Sequence, residues 1–184
     1  MIASKKDYYD YLLADKKNLN RKRKRPKIND YIWRYEILLR KCEYYHNCKK
    51  NGIIGKLLLF YYKYRKFKLG VKCGFSIPIN VCNKGLSIAH IGPIVINDKC
   101  RIGQNLRIHV GVNIGASYYN ASEVPTIGDN VYIAPGVKIF GDIKIGNNIA
   151  IGANAVVNKN FIENGITIAG VPAKKISDKG TKMS

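Results

Sequence analysis

TIGDNVYIAPGVKIFGDIKIGNNIAIGANAVV, running from Thr126 to Val157, is the stretch that decides how this chain folds. An isoleucine or valine returns at every sixth residue: Ile127, Ile133, Ile139, Ile145, Ile151 and Val157. Four positions after each of the first five stands another apolar or small side chain, at Val131, Val137, Ile143, Ile149 and Ala155. A sandwich strand alternates with period two and a helix with period 3.6, so neither accounts for a six-residue phase. Period six fits a triangular coil of three short strands. The first residue of each six points into the prism and the fifth lies near a corner, while Gly, Asn and Asp supply the turns. One such strand buries almost nothing, but stacked coils bury a continuous isoleucine column.

Upstream, the same spacing recurs at Ile96, Ile102, Ile108 and Ile114, with Cys100, Leu106 and Val112 four residues on. The two series are out of phase, because the step from Ile114 to Ile127 is one residue longer than a whole number of sixes. Ala116 to Thr126 (ASYYNASEVPT) is therefore expected to protrude as a loop, and insertions into solenoids often build binding surfaces. His90 lies six residues before Ile96, which predicts an inward position for it. These patterns divide the chain into a basic helical region at 1–73, a β-helix at 74–158 with its loop at about 116–126, and a closing segment with a basic tail at 159–184.

Within the first region, Ile32, Trp33, Ile37, Leu38 and Cys42 recur close to helical spacing between Asp30 and Asn47. Gly52 to Lys68 reads as a second, basic amphipathic helix. Its interleaved aromatics and cations fit a face packed on the prism, or else a membrane or polyanion surface. Net charge is +20 overall, +15 through Lys72 and +5 beyond it. Such a basic segment attracts any polyanion, so charge alone does not select nucleic acid, membrane or a phosphorylated small molecule. The densest run, Arg21 to Lys27 (RKRKRPK), reads as a solvated linker, and specific nucleic-acid recognition is not expected.

Five cysteines without a C-x-x-C pair read as reduced, mostly buried thiols rather than a metal or redox site. The N-terminus lacks the apolar core of a signal peptide. The longest apolar run, Ile53 to Tyr62, contains Lys56 and is about half the length needed to span a bilayer. A cytoplasmic protein is expected, with peripheral contact at the anionic inner membrane face as an option.

The hexapeptide repeats and the terminal segment Ile168 to Ile176 (IAGVPAKKI) resemble the acyl-CoA transferases of the left-handed parallel β-helix superfamily. From Gly74 to Ile176 the likeness is to serine O-acetyltransferases and their polysaccharide O-acetyltransferase relatives. The resemblance implies a bacterial homotrimer, acetyl-CoA as co-substrate, no metal, and active sites in the grooves between prisms. It also implies that His90, in LSIAHIGPIVIN, is the general base. A neutral imidazole can take the proton of a hydroxyl as that hydroxyl attacks a thioester. His109, in RIHVGVNIG, is a second catalytic or acceptor-binding candidate, or else a non-catalytic outward residue. Gly115, Ala134, Gly136, Gly152, Ala153 and Ala169 would let a pantetheine arm approach the backbone, although the fold alone also requires small corner residues. Lys174 and Lys175 could neutralise the CoA phosphates, or simply face solvent.

The chain departs from the serine acetyltransferase pattern at two acceptor-reading places, which hold Ala89 and Val124 in place of an aspartate and a histidine. Around Phe75 and Ser76 it also offers no carboxylate to orient His90, leaving Ser76 or a backbone carbonyl. A carbohydrate hydroxyl in a capsule, exopolysaccharide or lipid-linked precursor is therefore the expected acceptor. Serine itself and the amine of an amino sugar nucleotide are the alternatives. A non-enzymatic polyanion-binding trimer is a further one. A γ-type carbonic anhydrase, which needs three histidines, is disfavoured because only His90 and His109 fall in the prism.

Overall fold

A computed structural model describes residues 1–181. The chain opens with three helices, α1 (Lys5–Asn18), α2 (Tyr31–Cys48) and α3 (Ile53–Cys73). Ser4 and Asp30 cap α1 and α2 by accepting from the backbone N–H three residues on, and Gly74, in the left-handed region at φ 78°, ends α3. The strands that follow are β1 (Phe75–Ser76), β2 (Ser87–Ile88), β3 (Ile94–Ile96), β4 (Arg101–Ile102), β5 (Arg107–Ile108), β6 (Asn113–Gly115) and β7 (Thr126–Ile127). They continue as β8 (Tyr132–Ile133), β9 (Lys138–Phe140), β10 (Lys144–Ile145), β11 (Ala150–Ile151), β12 (Val156–Val157), β13 (Thr167–Gly170) and β14 (Ala173–Ser177).

These strands form a left-handed parallel β-helix of three sheets. The first sheet stacks β1, β3, β6, β9 and β12; the second β4, β7 and β10; the third β2, β5, β8, β11 and β13, with β14 antiparallel at its end. Every isoleucine of the six-residue phase, and Val157, is buried in one continuous column. Parallel stacking continues past residue 158 through Phe161, which bridges to Ile145, and through β13, which pairs with β11.

Turns explain why so short a strand recurs so regularly. Three residues after the inward isoleucine, the backbone swings into the left-handed region at Asn105, Asn130, Asn148 and Asn154, and at Gly111 and Gly136. Only Gly and, to a lesser extent, Asn or Asp adopt that conformation cheaply. The asparagines also form a ladder along one edge. Asn18 donates to Asn105 Oδ1 at 3.0 Å, Asn105 to Asn130 at 2.9 Å and Asn130 to Asn148 at 2.8 Å.

The protruding loop lies between β6 and β7. Ile127 pairs with Ile145 across a regular coil of three hexapeptides, whereas Ile102 pairs with Ile127, so the coil between those two holds a seven-residue insertion. Tyr118 and Tyr119 stand exposed at its tip.

A second, shorter irregularity matters more for function. Ile88 pairs with Ile108 across a coil that exceeds three hexapeptides, because the turn Ala89 to Pro93 is two residues longer than the turn below β5. The inward residues around it are Ile88, Ile94 and Ile96, and His90 rides exposed on the enlarged corner. This corrects the inward position expected from its spacing to Ile96. The extra residues shift the phase, so a polar ring need not enter the apolar column.

The helices cap the open end of the prism. Edge strands leave N–H and C=O groups without partners, and here buried side chains from α1 and α2 supply them. Asp15 Oδ1 accepts from Gly85 and Leu86 N at 2.7 and 2.9 Å, Glu43 Oε1 from Asn80 N at 2.9 Å, and Glu36 Oε1 from Ile88 N at 3.0 Å. Arg40, fully buried, pairs with Asp15 at 2.7 Å and Glu43 at 2.9 Å and donates to the carbonyls of Cys82 and Asn83, both at 2.8 Å.

Candidate active site

The third sheet carries the site on its outer surface. Ser87, Arg107 and Tyr132 are paired across β2, β5 and β8, each just before an inward isoleucine and therefore facing outward. One position after those isoleucines runs a second row: Ala89, His109, Ala134, Gly152 and Ala169. Its register is fixed by the hydrogen bonds Ala89 N to Ile108 O, His109 N to Ile133 O, Ala134 N to Ile151 O and Gly152 N to Ile168 O.

The two histidines meet at the end of this row. Their ring centroids are 5.8 Å apart, and the His109 ring packs edge-on against Tyr132 at 5.1 Å. His109 Nε2 is buried and has no hydrogen-bond partner among the described residues. Partial burial, then the Arg107 charge, then His90 hold His109 below the ordinary histidine value of 6.5. A neutral ring with an unused nitrogen can accept a proton or orient a hydroxyl. The structure thus places His109 outward and beside His90.

Neither Ser76 nor a backbone carbonyl holds His90, whose side chain forms no hydrogen bond among the described residues. Ser76 lies on the first sheet, paired with Val95. A carboxylate does support this region, one step removed. Glu36 reaches Ile88 N from α2, two residues before His90, and fixes the strand that leads into the histidine turn. Burial, with Asp15 nearby, holds the Glu36 carboxyl well above the usual carboxylate range, and its Oε2 has no partner among the described residues.

Arg107 escaped the sequence reading. Its Nη1 donates to Ser87 Oγ at 3.1 Å, Ser87 Oγ donates to Asn18 O at 3.2 Å, and no carboxylate pairs with the guanidinium among the described residues. An unpaired, half-buried guanidinium beside two imidazoles is suited to a carboxylate. The available signal was its place immediately before Ile108, where the repeat forces a side chain outward next to His109.

The small-residue candidates divide by place. Ala134, Gly152 and Ala169 form the row that leads away from His109, and a Cβ on Gly152 would stand 2.8 Å from the Ala169 Cβ. Ala153 follows Gly152 and Gly136 occupies the neighbouring corner, where its left-handed φ of 77° and the Asn154 amide exclude a side chain. Gly115 stands apart, at the end of β6 where the protruding loop departs. Lys174 is exposed opposite Ala169 across β13 and β14. Lys175 is bound to Glu163 at 2.6 Å and Asp178 at 2.5 Å, so its charge is already answered. Of the two lysines, Lys174 is the one left to meet an anion.

No group of three or more histidine, cysteine or acidic residues that could hold a metal ion occurs among the described residues. All five cysteines are free, and four are buried.

Comparison with known proteins finds hexapeptide-repeat and serine acetyltransferase relatives. Residues 125–159 match the bacterial transferase hexapeptide family, described as six repeats. A curated serine acetyltransferase of Staphylococcus epidermidis is 40% identical over 101 residues, which is 54% of this chain and 47% of that protein. One from Staphylococcus xylosus is 43% identical over 58 residues, 31% of this chain and 27% of the relative. The chain thus spans about half or less of these relatives. Among solved structures, Neisseria gonorrhoeae serine acetyltransferase in complex with serine superposes with a TM-score of 0.68 at 25% identity. The match covers 95% of this chain and 71% of that one. The Brucella abortus enzyme in complex with coenzyme A gives 0.72 at 24%, over 96% and 70%.

These findings overturn the carbohydrate acceptor, and with it the polysaccharide branch, expected from the sequence. Relatives and neighbours alike are named for serine. The carbohydrate expectation rested on what stands at Ala89 and Val124. Arg107, on the same outward face as His109, is a cation with no carboxylate partner among the described residues.

Proposed function

We propose that this hexapeptide-repeat chain is an acetyl-CoA-dependent serine O-acetyltransferase. The observation that carries the reading is the His90–His109 pair set beside an unpaired Arg107 at the head of a row of small residues. The names of the relatives and neighbours support the same acceptor and donor.

In this reading Arg107 holds the serine carboxylate, and the His109 ring, packed beside His90, positions the base. His90 takes the hydroxyl proton as the oxygen attacks the thioester carbonyl. Collapse of the tetrahedral adduct expels the CoA thiolate, which receives that proton, leaving O-acetylserine and CoA. The pantetheine arm follows Ala134, Gly152 and Ala169, where small side chains let it lie against the backbone, and Lys174 meets a phosphate. Four of the five cysteines are buried in the apolar column or the helix packing, and Cys48 closes α2 away from the third sheet's row, so transfer is read as direct. On a single chain the patch is open. A neighbouring prism in a homotrimer would wall the groove, and free thiols fit a reducing cytoplasm.

The test is CoA release from acetyl-CoA with serine or serinamide, for the wild type, His90→Ala and Arg107→Gln. Serine-dependent release should fall about 10²- to 10⁴-fold in His90→Ala, the span of general-base catalysis. Arg107→Gln should raise KM for serine far more than it lowers kcat and erase the preference over serinamide. Release that ignores serine, or survives His90→Ala intact, rejects the proposal.

A further inference from the structure

The sequence left α3 with two readings, packing or an anionic surface, and the structure assigns them to different faces. Gly55, Gly70 and Cys73 are buried against the rest of the molecule. On the other side Ile53, Leu57, Phe60, Tyr64, Phe67 and Val71 are all exposed, Phe60 at 75% and Phe67 at 67%. They recur at intervals of four and three residues, so they form one straight stripe along a helix of 21 residues. Ile54 and Tyr61, also exposed, broaden it. Contiguous exposed apolar surface of this extent marks an interaction site.

Charge decides what kind of surface it meets. The helix contains no acidic residue. At 3.6 residues per turn, Lys56 and Lys63 border the stripe on one side and Lys68 on the other, all exposed. Pairing this helix with a second copy of itself would set those lysines against like charges with no acid on the helix to answer them. A nucleic acid would satisfy the lysines and leave the aromatic stripe in water. An anionic bilayer surface satisfies both, taking the apolar side chains below the headgroups and the lysines among them. Tyr61 and Tyr64 are of the amphipathic type favoured at that depth. No described helix is long and apolar enough to cross a membrane, so the contact lies in the interface plane.

We propose that α3 docks the protein on an anionic lipid surface through this stripe. The proposal stands independently of the acceptor assigned above.

Vesicle sedimentation of the whole chain tests it, using phosphatidylglycerol–phosphatidylcholine vesicles against phosphatidylcholine alone. The wild type should partition at least about tenfold better onto the anionic vesicles, since each lysine near such a surface contributes roughly a fivefold factor. Phe60→Gln with Phe67→Gln should lose about tenfold or more while keeping the wild-type melting curve, because both side chains are exposed. Lys56→Gln with Lys63→Gln and Lys68→Gln should abolish the lipid preference. Absence of vesicle binding at low salt, or equal binding by the phenylalanine variant, overturns the proposal. Light scattering run alongside adds one more overturning outcome: if the phenylalanine variant fails to bind vesicles only because an oligomer has fallen apart, the stripe belongs to another copy of the chain.

Discussion

His109 concentrates the residue-scale physics of the site. Folding sets its ring partly out of water beside Arg107 and His90, and all three effects disfavour the imidazolium. The unfolded chain imposes none of them. Below the ordinary value of 6.5 the unfolded state therefore binds more protons than the folded one, and folding stability falls as pH drops through that value toward the lowered one. Above it both states are neutral and the contribution vanishes. Thermal melting at pH 7.5 and 5.5 should show a smaller acid-induced drop in Tm for His109→Asn than for the wild type, and an unchanged drop would remove His109 as a source of acid sensitivity. His109 itself was legible, because RIHVGVNIG sits inside the repeat. The place of Arg107 was not, since it has no acidic partner among the described residues, and its neighbours across the coils, Ser87 and Tyr132, are remote in sequence.

Among the elements, the asparagine ladder shows how a turn sequence becomes a structural column. Asn130 holds φ 56°, accepts from Asn105 and donates to Asn148. Asn130→Gly keeps the permissive backbone and loses the two side-chain bonds, at about 1 kcal/mol each. Asn130→Ala loses the same bonds and adds the left-handed strain of roughly 1–2 kcal/mol. Denaturant unfolding should therefore rank wild type above Gly above Ala, with the Ala variant down by about 3–4 kcal/mol. An Ala variant as stable as the Gly variant would show that the corner relaxes. The six-residue phase announced the corners, but not the ladder, because side-chain bonds between coils depend on which corner each turn occupies. The same limit produced the error at His90: counting six from Ile96 assumed a regular turn, and the two-residue bulge at Ala89 to Pro93 moved the ring outside.

On the scale of the molecule, the helical cap and the prism are joined by one buried polar plate. Arg40 gives its bonding capacity to Asp15, Glu43 and two prism carbonyls with 0% of its surface exposed. Arg40→Met would leave Asp15 and Glu43 buried beside each other without a cation, and breaking such a pair typically costs about 3–5 kcal/mol. Glu36→Gln should behave oppositely. Burial already favours its neutral form, the amide oxygen can still accept from Ile88 N, and Tm should hold or rise slightly. Melting of the two variants separates the cases, and a tolerated Arg40→Met would mean that the cap is held by apolar packing alone.

Hexapeptide phase and helical spacing announce the prism and the helices before it. Those features arise from local repetition, in which every sixth side chain must be buried and every corner needs a permissive residue. The tertiary structure alone decided which outward residues stand together. Stacking turns residues one full coil apart in the chain into neighbours, and so brings Ser87, Arg107, His109 and Tyr132 onto one face. It also decided which charges are spent. Lys175 found Glu163 and Asp178, Arg40 found Asp15 and Glu43, and Arg107 found no acid among the described residues, because pairing is a property of three-dimensional neighbours and not of the order of residues along the chain.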